Sequence, residues 1–482
     1  MTFQKVSLIT VLSQTTMTKS TVRIAIIGAG ASGLTALKSL LETFRRADVD
    51  RQLHVAVYEK NPEVGGVWYD DGRVKRSSIH FESDDTGRVT ASDDPSPMYD
   101  GLRTNLPNDL MAFRDHVFPQ NTPTFPTAEQ VEQYIVSYAD RFDLRRHIRF
   151  RSPVQRLYKD NEEWVVEATG DEARYDHVVV ANGHYADTFV PTIPGLATFP
   201  GKITHSRFYR SPEPYLGQTV LVVGSFASGS DLARLIASAN LDPETSHHRT
   251  NVYVSSEGDT SYATRDGEWA KYVTDVPLID RIDGTMVHLQ DGKSIDDVDT
   301  IIFATGYYYA LPFCHKADAP WSDCPVLDGV DSHGGLRGMY MSHLDPLLLF
   351  LNTDTSIAFP VLQYQIVPFP LAEAQARLIS YLWSGLLPSL PSNIQVPPNP
   401  NDPARQKEGT GEKQRKVVKT RKEFVFGSPY EWEYEECLMS LCLEADERRG
   451  TADQVPEYWK KIEPERRARR EDKALRRRTL GY

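Results

Sequence analysis

The sequence predicts an α/β fold of two dinucleotide-binding, Rossmann-like domains, the second inserted into a discontinuous first, and three observations carry that prediction. An apolar run at residues 22–27, VRIAII, meets the glycine-rich GAGASG of residues 28–33. A second run, TVLVV at 219–223, meets GSFASG at 224–229. The third observation is order: strand, glycine turn, helix, strand occurs twice along the chain, as two nucleotide-binding cores require.

Each element follows from local pattern. Residues 22–27 read as a buried parallel strand, because such strands are covered on both faces and lack polar alternation. Ala36, Leu37, Leu40 and Leu41 supply the stripe of the next helix, and residues 54–58 a second strand ending at Glu59. From 70 to 97 the chain is polar, turn-rich and aperiodic, so a long surface excursion is expected. A helix is expected over 127–142, with Thr127 as N-cap, Gln130 as its reciprocal partner, and Val131, Tyr134, Ile135 and Tyr138 facing the core. Strands follow at 162–168 and 176–181, and Pro191, Pro194 and Gly195 mark a crossing between domains.

Beyond the crossing, a strand at 219–223, a helix over 231–239 and strands at 251–255 and 299–304 complete the second pattern. A helix at 371–383 precedes prolines 388, 391, 397, 398 and 400 and a charged stretch, which read as a linker or surface wrap. Residues 461–478 mix basic clusters with Glu463, Glu465, Glu471 and Asp472, the pattern of a solvated helix or disordered end. The expected division is a tail at 1–20, a first domain at 21–190 and 300–390, a second at 191–299, and an extension at 391–482.

Composition removes several function classes. The chain has 54 basic and 66 acidic residues, a net charge of −12 that argues against a non-specific nucleic-acid binder. Four irregularly spaced cysteines form no disulfide framework, so a reducing, cytoplasmic setting is expected. No run of 18 apolar residues provides a transmembrane anchor. A homo-oligomer is compatible with this composition. A metal is not expected: H-E-x-x-H is absent and Cys314 and Cys324 lack zinc spacing. Without C-x-x-C a dithiol reductase loses its reagent, and without G-x-S-x-G there is no nucleophile elbow.

The glycine turns are therefore the chemistry-bearing features. Gly28 permits the tight turn, Gly30 removes the side chain that would block a pyrophosphate, and Gly33 lets the helix approach the strand, while Ala31 and Ser32 open a helix N-terminus whose N–H groups can meet phosphate. Glu59 can accept from ribose hydroxyls, and its charge would repel a 2′-phosphate, so this site should take FAD or NAD rather than NADP. Gly65, Gly66, Val67 and Trp68 suit an extended cofactor with a flat ring, and an ordinary packing role for them stays open. In the second turn Gly224, Ser225, Ser228 and Gly229 could hold a nicotinamide dinucleotide, but Phe226 stands where the middle glycine belongs. Beyond the next strand lies VSSEGD, with Glu257 and Asp259 and no arginine, so local sequence does not decide NADP against NAD. Ser255, Ser256, Arg207 and Arg210 are the candidate donors to a 2′-phosphate. With no protein nucleophile in view, a flavin is left as the reaction centre.

These residues together resemble the class B flavin-dependent monooxygenases, specifically the flavin-containing monooxygenase family. The resemblance rests on GAGASG with EKNPEVGGVW; on FPGKITHSRFY, residues 199–209, which supplies Phe199, Gly201, His205 and Tyr209 of the form F-x-G-x-x-x-H-x-x-x-[F/Y]; and on ATGY, which places Thr305 and Gly306 near a cofactor. Tyr209 stands where the related Baeyer–Villiger enzymes usually have tryptophan, which favours the heteroatom-oxidising branch. GLRTNLPNDLMAF, residues 101–113, looks like the segment that brings an asparagine, here Asn105, to the reactive face of the flavin.

The resemblance implies that NADPH, with NADH not excluded, reduces FAD, and that O2 then gives a C4a-hydroperoxyflavin. This adduct would oxygenate a soft sulfur or nitrogen of a small molecule, sulfur being preferred from the LRTNLP wording. It implies an organising role for His205 at the domain crossing rather than a catalytic one. An NAD(P)H-dependent flavin oxidase or reductase without oxygen insertion, a Baeyer–Villiger monooxygenase, and a non-enzymatic flavoprotein are the alternatives.

Overall fold

Side-chain alternation along two parallel sheets sets the layers. In the computed structural model, which describes residues 20–72, 77–81, 86–91, 95–245, 247–258, 266–401 and 421–480, the first sheet runs edge to edge through Phe350–Leu351, Asp354–Ala358, His177–Val180, Ser20–Ile27, Arg51–Tyr58 and Ile148–Arg149. Its pairings are parallel apart from the edge pair Phe350–Leu351 and Asp354–Ala358. Successive residues of a strand face opposite sides. Ile24 and Ile26 accordingly enter one core, Ala25 and Ile27 the other, which is why this strand has no polar face.

Eight α-helices lie among the described residues: α1 (Ala31–Phe44), α2 (Asn108–Met111), α3 (Ala128–Arg141), α4 (Ala227–Ser238), α5 (Pro368–Ser384), α6 (Tyr430–Arg449), α7 (Pro464–Glu471) and α8 (Leu475–Leu480). Leu37 and Leu40 of α1, Val131 and Ile135 of α3, Leu378 and Ile379 of α5, and Leu438 and Leu441 of α6 share the core on one face of the first sheet. The expected cap on α3 is present: the Gln130 N–H donates to Thr127 Oγ1 at 3.2 Å, and the Thr127 N–H to Gln130 Oε1 at 2.9 Å. Two N–H groups that a helix start leaves open are thereby satisfied.

The second sheet is wholly parallel, in the order Lys202–His205, Thr300–Phe303, Thr219–Val223, Asn251–Ser255, Val273–Val276. Val220 and Val222 pack with Leu232 and Ile236 of α4, while Leu221 and Val223 face the opposite core.

Two expectations are corrected. Thr300–Phe303 pairs with both Lys202–His205 and Thr219–Val223, so this strand belongs to the second sheet and the return crossing comes after it, not at residue 300. A strand's sheet is a long-range property that its own sequence does not carry. The stretch from 70 to 97 is not simply a surface excursion: Ser77–Phe81 and Gly87–Ala91 form an antiparallel hairpin. Val89, only 2% exposed, joins Val190 and Phe199 in the second unit's core. Residues 73–76, 82–85 and 92–94 of that stretch lie outside the described residues, as do the tail at 1–19 and part of the charged stretch, 402–420. Beyond residue 420 the extension adds to the first unit. α6 completes the first core, and α7 is pinned by Arg470, which pairs with the buried Glu431 at 2.7 Å.

Candidate active site

The first turn is built from close backbone approaches. Gly28 has φ +103°, a region that favours glycine, and its N–H donates to the Tyr58 carbonyl at 2.8 Å. A Cβ on Gly28 would lie 2.5 Å from the Ala181 carbonyl oxygen, and one on Gly33 only 2.0 Å from that of Gly28. Gly30 differs, because its φ of −77° suits any residue. Its absent Cβ would point at Gly66, 3.3 Å from that Cα, so the two glycine backbones face each other across a cradle that a side chain would fill.

At the mouth of this cradle α1 has no side-chain cap and no acidic residue in its first turn. Its first helical hydrogen bond, from the Leu34 N–H to the Gly30 carbonyl, leaves Ala31, Ser32 and Gly33 before it with N–H groups able to meet an anion. Glu59, 3% exposed, is held at the adjoining strand end, with Oε2 accepting from the Ala29 N–H at 2.7 Å and Oε1 from the Asn61 N–H at 2.8 Å. Burial raises its pKa, and those hydrogen bonds oppose the rise. Trp68 is half-buried against the first core, and the Val67 carbonyl accepts from the Ser96 hydroxyl at 3.0 Å.

The second turn repeats the first nearly atom for atom. Gly224 has φ +104° and donates to the Ser255 carbonyl at 2.8 Å. Its Cβ would lie 2.7 Å from the Ala304 carbonyl oxygen, and one on Gly229 would lie 1.9 Å from that of Gly224. By this equivalence Ser255 matches Tyr58, and Ser256 takes the place of Glu59. The carboxylate that would repel a 2′-phosphate in the first site is a neutral hydroxyl in the second.

Phe226 is accommodated without strain. Its backbone, at φ −72° and ψ −171°, matches Gly30, and its side chain is 46% exposed at the uncapped start of α4. Ser228 is exposed on that first turn, and Ser225 is buried with its carbonyl accepting from the Ser230 hydroxyl at 2.5 Å. The four donors suggested for a 2′-phosphate are committed elsewhere. The Ser255 hydroxyl donates to Pro277 at 2.8 Å and that of Ser256 to Gly258 at 3.2 Å. Arg207 donates to the Tyr185 and Pro95 carbonyls, and Arg210 pairs with Asp70.

Between the two units the sequence motifs converge. His205 donates from Nε2 to the Gly306 carbonyl at 3.0 Å and accepts at Nδ1 from the Arg207 N–H at 3.1 Å, which fixes its tautomer. Gly306 also accepts from the Phe189 N–H at 3.0 Å, and the Thr305 hydroxyl donates to the Phe189 carbonyl. Gly201 is required because a Cβ would lie 2.4 Å from the Asp299 carbonyl oxygen, with the Phe199 ring at 2.6 Å beside it. Tyr209 is fully buried, edge-on to Tyr99 and stacked on Tyr215.

Burial pushes the His205 pKa down to about 3, so the ring is neutral at working pH and not poised as a base. The unfolded imidazole titrates near 6.5. The stability it contributes is therefore complete above that pH and is lost as pH falls toward 3, at about 1.4 kcal/mol per pH unit. Thermal unfolding of wild type and His205→Asn across this window should show the steeper loss in wild type. Equal slopes would remove His205 as the cause.

Asn105 lies exposed in a bend, with its amide in no hydrogen bond among the described residues. The backbone on either side is braced. The Thr104 N–H donates to Pro126 at 3.0 Å, and the Thr104 hydroxyl to Leu106 at 2.8 Å. The segment just before it lies against the second unit, where the Asp100 N–H donates to the Arg210 carbonyl at 2.8 Å and the Tyr99 hydroxyl to Asp231 at 2.9 Å. Tyr99 and Asp231 were missed by sequence reasoning because no motif links residues so far apart. A cavity of about 210 Å³ lies elsewhere, along the flank of α1, lined by Lys38, Glu42, Arg46, Glu373 and Arg377 among others.

A family model described as flavin-binding monooxygenase-like matches residues 21–288. Flavin-containing monooxygenase FMO GS-OX-like 4 of Arabidopsis thaliana is 32% identical over 390 residues, covering 77% of each chain. The chain belongs to the flavin-binding monooxygenase-like family. It is thus an enzyme of the FAD- and NADPH-dependent monooxygenase kind. This monooxygenase is also similar to the thiol-specific monooxygenase of Saccharomyces cerevisiae, 30% identical over 382 residues, with 76% of this chain and 78% of that protein covered. Among solved structures, S-allyl-L-cysteine S-oxygenase from Allium sativum matches with a TM-score of 0.72 and 25% identity, over 96% of this chain and 94% of that one. Among the described residues, no helix of the monooxygenase is long and apolar enough to cross a membrane.

Proposed function

We propose that this monooxygenase transfers one oxygen atom from O2 to a soft sulfur of a small organic molecule, at the expense of NADPH. The observation that carries the reading is the pair of matched glycine turns with different strand ends, Glu59 in one and Ser256 in the other. A carboxylate at Glu59 suits the ribose of FAD, and Ser256 at the equivalent position brings no charge to repel a 2′-phosphate. FAD, when bound, would supply the redox chemistry, taking hydride from NADPH and activating O2 so that one oxygen goes to the nucleophile and the other leaves as water.

The chain's own residues bind and orient. Gly28, Gly30, Gly33 and Gly66 bring backbone to the FAD pyrophosphate, Ala31 and Ser32 present N–H groups to it, and Glu59 accepts from the ribose. Gly224, Ser228 and Gly229 do the same for the nicotinamide dinucleotide. Asn105 offers an amide that both donates and accepts beside the flavin, where fixed polar groups hold reactants better than mobile water. His205, Thr305 and Gly306 organise the crossing between the units. The first unit then comprises residues 21–190 with the chain after Phe303, and the second residues 191–303. Sulfur is preferred to nitrogen because the thiol-specific and S-oxygenase relatives named above match most of the chain.

The test is stoichiometric. Purified, FAD-loaded protein given NADPH, O2 and a panel of sulfides, thiols and amines should yield one S-oxygenated product per NADPH, with little peroxide. NADPH consumption matched by hydrogen peroxide, with no oxygenated product, would overturn the reading. N-oxides alone would replace the substrate class.

A further inference from the structure

One guanidinium near the C-terminus joins parts of the molecule that lie far apart in sequence. Arg476, in α8, donates from Nε to the Thr104 carbonyl at 3.2 Å and from Nη2 to the Arg103 carbonyl at 3.4 Å. The same Nη2 lies 3.3 Å from Asp231 Oδ1 in α4. Asp231 is 7% exposed, and its other oxygen accepts from the Tyr99 hydroxyl at 2.9 Å. Charge-assisted bonds to a shielded carboxylate hold geometry far better than solvent-exposed pairs. The neighbouring α7 supports the arrangement, with Arg466 donating to the Leu110 carbonyl at 2.7 Å and Arg469 reaching Asp109 at 3.0 Å.

Both ends of this bridge are placed for function. Thr104 is the residue before Asn105, and Asp231 lies one turn inside the helix whose N-terminus faces the second dinucleotide site. We propose that Arg476 is a positioning residue that holds the Asn105 loop against the nicotinamide unit, so that the nicotinamide stays in register beside the flavin; the inference rests on the oxygen-transfer reading above. Arg476 touches no reacting atom. Its removal hands the Arg103 and Thr104 carbonyls to water and takes one partner from Asp231. The loop and α4 then sample arrangements in which the dinucleotide is held less well, and binding must select among them.

The experiment compares FAD-loaded wild type, Arg476→Ala, Arg476→Lys and Tyr99→Phe. R476A should keep its FAD and its melting temperature. Its KM for NADPH should rise about fivefold or more, the lower range of coupling between sites, while kcat for NADPH oxidation changes less than about twofold. The share of NADPH lost as peroxide should rise with KM. R476K retains the charge without the fork and should recover part of the effect, and Y99F, which removes a single bond to Asp231, should shift KM in the same direction.

A readout free of turnover is amide hydrogen exchange of flavin-loaded, nicotinamide-free protein. Residues 99–106 and 227–235 should exchange faster in R476A. Wild-type KM, peroxide share and exchange in R476A would overturn the proposal, as would loss of FAD or a large drop in melting temperature, which would make the contact merely structural. If wild type forms no oxygenated product, the functional reading falls, and the exchange comparison still decides the bridge.

Discussion

Asn105→Ala is expected to fold and bind FAD as wild type does, yet to lose about tenfold in oxygenated product per NADPH, the difference emerging as hydrogen peroxide. An exposed residue whose amide bonds to nothing among the described residues contributes little to folding, within about 0.5 kcal/mol. Its value must then lie in what it meets when the cofactors are bound. One hydrogen bond to a reactive group is worth about 1.4 kcal/mol, and that is a factor of about ten in rate or lifetime. Product and peroxide are measured together against NADPH consumed. Wild-type coupling in the variant would end the assignment of Asn105 to the reactive face.

Two neighbouring glycines should fail in opposite ways. Gly33→Ala forces a Cβ to within 2.0 Å of the Gly28 carbonyl oxygen, which is backbone and cannot swing aside. The helix must back away from the strand, and a cost of about 3 kcal/mol or more is expected, larger than the gain of under about 1 kcal/mol that alanine brings to a helix. Gly30→Ala meets only Gly66, at 3.3 Å, from a φ that alanine readily adopts. That variant should fold with a near-wild-type melting temperature and emerge colourless, its FAD content down about tenfold or more, because the new methyl enters the space proposed for the pyrophosphate. Thermal unfolding and flavin absorbance of the pair separate the two effects. A yellow G30A with full FAD content would remove the cradle from the cofactor's site.

What was legible in the sequence was what neighbouring residues decide among themselves. Gly33 and Gly229 announce their turns because the backbone each must clear, the Gly28 or Gly224 carbonyl, lies within the same short motif, and Thr127 with Gln130 announces a cap for the same reason. Phe226 left the second turn in doubt because its direction is not written locally: its backbone takes the Gly30 conformation without strain, and its side chain stands exposed at the start of α4. The sheet that receives Thr300–Phe303, the burial of Val89 and the docking of α6 depend on partners far along the chain. Arg476 was invisible in a different way: amid a run of basic residues and acidic neighbours it looks like solvent-facing charge, and only the arrival of Thr104 and Asp231 from other elements distinguishes it.

The hydrogen bonds at the crossing also bear on how the two units can move. The outgoing strand near Phe189 and the returning strand near Gly306 are laced together, and Thr188 pairs directly with Tyr307. The crossings near residues 189 and 306 therefore lie side by side. Relative motion of the two units would then favour rotation about this point over sliding, since sliding would tear the lacing. In such a rotation displacement grows with distance from the crossing, and His205, bonded to Gly306 there, would move least.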